Sequence, residues 1–189
     1  FSYSISIVDK IDTLVGFFII DEKPTSSKDP FALRRAAIGL LRIIIENKLS
    51  FKLRDLISYA IRLYQEQGVE IKNEKTEQQI LEFIKERMRN VLKLKNIKTD
   101  VIEASISSHA GDNFLALYAK TLLMNKYKNK GIGLNAINSY KRASNILDKA
   151  GKRITGRPDA VLFRKDEEKI LHEKINEIRK AFTVKDDKK

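Results

Sequence analysis

Apolar residues recur along this chain at intervals of three and four, the spacing that places them on one face of an α-helix. Ile7, Ile11, Leu14 and Phe18 set the first such face, after an opening FSYSISIV that alternates like a strand for a few residues, and they predict a helix ending near Ile20. In the next segment Ile38, Leu41 and Ile45 repeat at helical spacing, while Arg35, Gly39, Arg42 and Glu46 form another stripe that points outward. Asp29 followed by Pro30 reads as an N-cap and a first helical residue with no amide to satisfy, so this second helix is expected to run from there to about Asn47. Counting 34, 38, 41, 45 puts Arg34 at the head of the apolar stripe, where an unpaired guanidinium is costly to desolvate. An acidic partner is therefore expected, and Asp12 on the preceding helix is the preferred one, giving a structural ion pair.

The pattern continues through further helices. Ser50 is the expected cap of a third, built on Leu53, Leu56, Ile57, Ala60 and Leu63 and stopped by Gly68. Thr76 and Gln79 form a capping-box pattern before Ile80, Ile84, Met88 and Val91, which predicts a long, outwardly charged fourth helix. Thr99 or Asp100 opens a short fifth, the HAGD turn at 109–112 closes it, and Asp112 is the expected cap of NFLALYAKTLLMNKY. Gly131 and Gly133 predict a break, followed by a helix over about 135–150 ending at Gly151, a KRITGRP loop, and a last helix over roughly 166–182 before the polar TVKDDKK tail. No segment shows the alternation of a sheet and no repeat is evident. The expected fold class is all-α, with two regions, 1–100 and 101–189, because helix length and charge density both change between 96 and 112.

Composition narrows the chemistry. The 189 residues include no cysteine, which removes disulfides, thiolate metal sites and cysteine nucleophiles together. The chain begins at Phe1 inside an apolar run and its first methionine is Met88, so it is expected to be a segment of a longer protein. Its longest apolar runs, such as LVGFFII at 14–20, fall short of the roughly 20 residues a membrane-spanning helix needs, and no signal-peptide pattern precedes them. No membrane association is expected.

The formal charge of +12 is concentrated in one place. Residues 120–165 carry 12 basic and 2 acidic side chains, whereas 1–48 carry 7 and 6, 49–119 carry 11 and 10, and 166–189 carry 7 and 7. The block is an electrostatic footprint for a polyanion, and Tyr118, Tyr127 and Tyr140 are interleaved with it, able to stack on bases although helical aromatics more often sit in the core or at its rim. On charge alone, a nucleic-acid partner and a solvated lysine-rich face stand at equal weight. Elsewhere the candidates are weaker. Asp9 and Asp12 share a helical face, but two carboxylates make a poor metal site and ion pairing is the stronger reading. His109 reads as a turn residue, His172 as part of a polar face, and GIGLN at 131–135 lacks the strand and glycine spacing of a phosphate loop. No catalytic or metal-ligating residue is assigned.

The order of motifs resembles a known family. VDKIDTLVGFF at 8–18, KPTSSKDPFALRRAAIGLLRI at 23–43, RMRNVLKLKNIKTDVIEA at 87–104 and YKRASNIL at 140–147 are similar to the β subunit of the bacterial two-subunit glycyl-tRNA synthetases. The resemblance implies an enzyme that attaches glycine to its tRNA at the expense of ATP, with glycine and ATP held by the α subunit and tRNA bound by β. It also implies two α and two β subunits in the cytoplasm, and a non-catalytic role for this chain, which itself holds no cofactor. It further implies that residues 1–100 are the C-terminal part of an HD-like helical region, with Asp9 at the closing aspartate of the HD motif, and that 101–189 lead into a truncated anticodon-binding module. The tRNA-binding candidates are then Arg35, Arg42, Lys126, Lys128, Lys130, Lys141, Arg142, Asn145, Lys149, Lys152 and Arg153, with Arg35 and Arg42 facing either RNA or the rest of the subunit. Two other readings stay open: a helical scaffold that holds the partner subunit, and a remnant of an HD-type metal phosphohydrolase.

Overall fold

The computed structural model describes residues 2–25, 28–71, 73–109, 111–128, 130–150 and 158–186. All of its regular structure is helical: α1 (Ser2–Ile19), α2 (Leu33–Glu46), α3 (Leu53–Glu66), α4 (Thr76–Leu94), α5 (Thr99–Ser107), α6 (Phe114–Lys128), α7 (Gly131–Ala150), a short 3-10 helix (Ala160–Leu162) and α8 (Asp166–Asp186). The chain divides into two compact units, Phe1–Asn138 and Ser139–Lys189, and the division falls inside α7.

The first unit is organised around α1. Ile7, Ile11, Leu14, Val15, Phe18 and Ile19 are all buried, a wide arc that no single neighbour can cover, and α1 accordingly packs on α2, α3 and α4. Phe18 meets Phe83 of α4 edge-on, with ring centroids 5.3 Å apart. α5 and α6 extend this core through Val101, Ile102, Phe114 and Leu117.

In α2 the structure departs from the expected stripe. Leu33, Ala37, Leu40, Leu41 and Ile44 are buried, whereas Ile38 and Ile45 are only partly so. The helix is turned by about one residue, or roughly 100°, from the expectation. Arg34 therefore lies on the flank of the buried face, and the reason to expect a buried carboxylate disappears. The helix also begins at Leu33, not Pro30. Asp29 keeps its capping chemistry: one carboxylate oxygen accepts from the Leu33 amide at 2.8 Å and the other from the Arg34 amide at 3.1 Å. Residues 29–32 form a turn, with Ala32 in the left-handed region at φ 57° and Phe31 stacked on Phe17 at 4.0 Å.

Three other caps differ from expectation. Ser50 does not cap α3; the Asp112 carboxylate does so from 58 residues away, accepting from the Arg54 amide at 2.8 Å, while the Asp112 carbonyl accepts from the Leu53 amide. Ser50 instead accepts a hydrogen bond from the Asn113 side chain. With Asp112 engaged, Asn113 caps α6 by accepting from the Ala116 amide at 3.0 Å. The Thr76–Gln79 box does not form: Thr76 is already helical and buried, its hydroxyl donates to the Asn73 carbonyl, and the Asn73 side chain accepts from the Lys75 amide. At the other end of the unit, Gly131 and Gly133 are absorbed into α7, which starts four residues early and approaches α6 closely: a Cβ on Gly133 would lie 2.1 Å from the Tyr127 carbonyl oxygen.

The second unit holds the rest of α7, the 3-10 helix and α8. None of its described side chains is buried. The Glu168 carboxylate accepts from the Arg164 and Lys165 amides at the start of α8, and Phe163 meets His172 edge-on at 5.3 Å. α8 continues to Asp186, past the expected end; Gly151 and most of KRITGRP lie outside the described residues.

Asp112→Ala should lower the unfolding free energy by about 0.5–2 kcal/mol, the range for losing a helix cap, and should speed amide exchange in the first turn of α3. Asp112→Asn, which keeps an acceptor, should cost less. Equal denaturation midpoints for wild type and Asp112→Ala would show that α3 does not depend on this cap.

Candidate nucleic-acid interface

Arg35 and Arg42 are exposed on the outer face of α2, as the polar stripe predicts. Neither has a carboxylate within ion-pair distance among the described residues. Arg34 and Asp12 are not brought together. The Arg34 guanidinium donates to the Thr25 carbonyl, whereas the Asp12 carboxylate accepts from the Tyr64 hydroxyl. Burial, and secondarily Asp12, push the Tyr64 phenol up from its ordinary value. Arg34 lies close enough to Arg87 for mutual repulsion, which adds to burial in lowering the Arg87 guanidinium, itself packed 4.4 Å over the Phe83 ring.

The basic block divides by element. Lys126 is exposed near the end of α6, and Lys130 is exposed just beyond it with its ammonium 5.6 Å from the Tyr127 ring centroid. Lys126 and Lys128 sit in the last turn of α6, where cations are also favoured by the helix dipole. Lys128 is engaged internally, pairing with Asp100 at the start of α5. Lys120, also in the block, donates to the Ser108 carbonyl at 2.9 Å.

On α7, Lys141, Arg142, Asn145 and Lys149 are all exposed. Their spacing, with 141, 145 and 149 one turn apart and 142 three residues before 145, puts the four on a single helical face. Lys152 and Arg153 lie outside the described residues. Tyr127 and Tyr140 are exposed, Tyr140 at 73 %, whereas Tyr118 is half-buried against the core. Two cations that the sequence reading did not single out join the α2 face. The Lys10 stem crosses α2 at Gly39, and Lys95 at the end of α4 borders the same cavity as Arg42. Both come from charge-balanced stretches, so composition gave no signal for them.

Asp9 is exposed beside Lys10 at 3.8 Å. Among the described residues no group of three or more His, Cys, Asp or Glu side chains is placed to hold a metal ion, and no helix is long and apolar enough to cross a membrane.

Against this geometry, the model of the glycyl-tRNA synthetase beta subunit family matches residues 1–107. The chain belongs to that family. It is 40% identical over 167 residues to the glycine–tRNA ligase beta subunit of Rickettsia canadensis, covering 88% of this chain and 24% of that protein. The beta subunit of a Ruegeria species is 34% identical over 152 residues, covering 80% of this chain and 20% of its own length, and that of Clostridioides difficile 32% identical over 176 residues, covering 93% and 25%. The chain spans about a quarter of the length of the curated relatives it matches. The family match takes in SKDPFALRR and most of the packed core of this β-subunit segment, and the pairwise similarity to the Rickettsia and Clostridioides proteins extends over most of the chain.

The Lys128 pair yields a direct prediction. The hydrogen bond from Lys128 holds the Asp100 carboxyl below the ordinary aspartate range, aided by the Val101 amide. A carboxyl depressed in the folded state keeps its partner above that depressed value and loses it as pH falls through it. In a carboxyl-carbon NMR titration, Lys128→Met should move the Asp100 midpoint upward. An unmoved midpoint would mean the pair does not form in solution.

Proposed function

We propose that this chain is a tRNA-contacting, non-catalytic part of the β subunit of a glycine–tRNA ligase. In the whole enzyme it supports the ATP-dependent attachment of glycine to its tRNA, with the chemistry on the α subunit. The observation that carries the reading is the exposed face of Lys141, Arg142, Asn145 and Lys149 on α7, within the block that holds nearly all of the net charge of a chain from this family. Lysine and arginine side chains there make backbone contacts that position the tRNA, and exposed Tyr127 and Tyr140 offer rings to unstacked bases. Within the first unit, Lys126, Lys130, Arg35 and Arg42 are further candidate contacts, and Lys152 and Arg153, next after α7 in sequence, are candidates by their charge. Lys128, held by Asp100, contributes less. The setting is the cytoplasm, in an assembly of two α and two β subunits.

A second reading draws on a different observation. The second unit exposes Ile146, Leu147, Ile170 and Leu171, at 69 %, 52 %, 57 % and 63 %, which suits a scaffold that packs on the α subunit. The two readings separate by salt dependence: RNA binding weakens steeply as salt rises, and apolar association with the α subunit does not.

Affinity for glycine tRNA, a non-cognate tRNA and duplex DNA, each measured over a range of salt, tests the proposal. Glycine tRNA should bind with a steep salt slope, and the double variant Lys141→Glu/Arg142→Glu should bind at least about tenfold more weakly, with the slope reduced by about two for the two lost contacts. An affinity and slope that the double variant leaves unchanged would remove the α7 face from the binding path. Salt-insensitive association with the α subunit and no RNA binding would favour the scaffold.

A further inference from the structure

Between α2, α4 and α6, wholly inside the first unit, the surface opens into a cavity of about 330 Å³. Ile38 of α2 and Val91 of α4 give it an apolar floor, and Tyr118 of α6 and Leu94, itself 78 % exposed, give it walls. Its rim is polar and mixed in sign. Arg42 and Lys95 carry positive charge, Asn90 a side-chain amide, and Glu46 a carboxylate. Among the described residues neither Arg42 nor Lys95 pairs with a carboxylate, although Glu46 stands one turn from Arg42 on the same helix.

The outer face of α2 that carries Arg42 holds further cations. Gly39, one turn before Arg42 on α2, lets the Lys10 stem lie across the helix; a Cβ there would sit 2.9 Å from the Lys10 Cε. Lys10, Arg35 and Arg42 thus line one side of α2, with Arg35 and Arg42 seven residues apart and exposed.

This combination selects a class of ligand. A bare phosphate or sulfate would be drawn to Arg42 and Lys95 but has no use for the apolar floor and would be repelled by Glu46. An apolar ligand would leave the unpaired cations without a partner. A nucleotide has a flat apolar face for Tyr118 and Leu94, a phosphate for the cations, and hydroxyl and amine donors for the carboxylate and amide. Only an unstacked base reaches such a floor, which excludes a regular duplex. The 2′-hydroxyl gives Glu46 or Asn90 a group present in RNA and absent from DNA.

We propose that this cavity receives one unstacked nucleotide of a single-stranded RNA segment, its base against Tyr118, its phosphates on Arg42 and Lys95, and its ribose hydroxyl or base amine at Glu46 and Asn90. The proposal rests on the reading of this chain as RNA-contacting and adds a second contact region to that of α7.

Binding of short labelled oligo(rA) and oligo(rU), with oligo(dA) and oligo(dT) as counterparts, to the 189-residue chain tests it by fluorescence anisotropy across a range of salt. The RNA oligomers should bind more tightly than the DNA ones. Tyr118→Leu, which keeps every charge, should weaken RNA binding about tenfold without changing the salt slope, as expected for a lost stacking contact. Arg42→Gln should lower the slope by about one. Should Tyr118→Leu lose its helical circular dichroism, Arg42→Gln and Asn90→Ala, both at exposed positions, decide the matter.

The proposal is overturned if the RNA oligomers do not bind, if RNA and DNA bind equally, or if the folded variants leave affinity and slope unchanged. Its failure is distinct from that of the tRNA reading. Retained binding of glycine tRNA with no effect of these variants would remove the cavity alone, whereas RNA oligomers that bind and respond to the variants, with glycine tRNA failing to bind, would remove the tRNA reading and keep the cavity.

Discussion

The burial of α1 is the constraint from which the first unit follows. Its apolar residues cover too wide an arc for a two-helix contact, so α2, α3 and α4 close around it. Once α2 is docked through Leu33, Ala37, Leu40, Leu41 and Ile44, its remaining face is left to solvent, and that face carries Arg35 and Arg42. The cationic surface of α2 is thus a by-product of core packing, in that no other rotation of α2 buries the same five residues.

Long-range capping joins the second half of this unit to the first. Asp112 follows α5 in sequence but satisfies amides at the start of α3, and Arg54 there also pairs with Glu77 at the start of α4. The start of α6, two residues after Asp112, is capped by the neighbouring Asn113, whose side chain also reaches Ser50. α6 in turn carries Tyr118 to the wall of the α2–α4 cavity and Lys126 to its exposed end. Electrostatics at that end are partly spent within the fold, because Asp100 holds Lys128. A count of charges along the chain therefore overstates what the first unit offers a polyanion, while on α7 the basic side chains stand exposed.

Helix existence was legible because it depends on periodicity, and the apolar runs are long and regular. Helix ends were less so. α1, α2, α3 and α4 all close with the same pair of hydrogen bonds around a left-handed residue, yet only Gly68 announces it; Asp21, Lys48 and Asn96 occupy that conformation in the other three. Ser50 and Thr76 both have local capping patterns, but the groups that reach the relevant amides are Asp112, remote in sequence, for the first and Asn73, three residues upstream, for the second. Sequence alone leaves the rotation of α2 open because LLRIII offers two adjacent apolar stripes, and only the packing on α1 and α4 chooses between them. Arg35 and Arg42 face outward with either stripe buried, whereas the expected pairing of Arg34 with Asp12 depends on which stripe it is and does not form. On the candidate interface, Lys141, Arg142, Asn145 and Lys149 follow from helical spacing alone. Lys10 and Lys95 do not, since only tertiary packing brings them beside α2.

The central claim is that nucleic acid is met by particular cations and not by positive charge at large. Lysine acetylation footprinting of the chain, alone and with glycine tRNA, read residue by residue by mass spectrometry, addresses it most directly. The account predicts protection of Lys126, Lys130, Lys141 and Lys149, with Lys52, Lys75 and Lys93 in the charge-balanced stretch 49–119 as reactive as in the free chain. Protection spread evenly over both sets, or confined to the second, would contradict it.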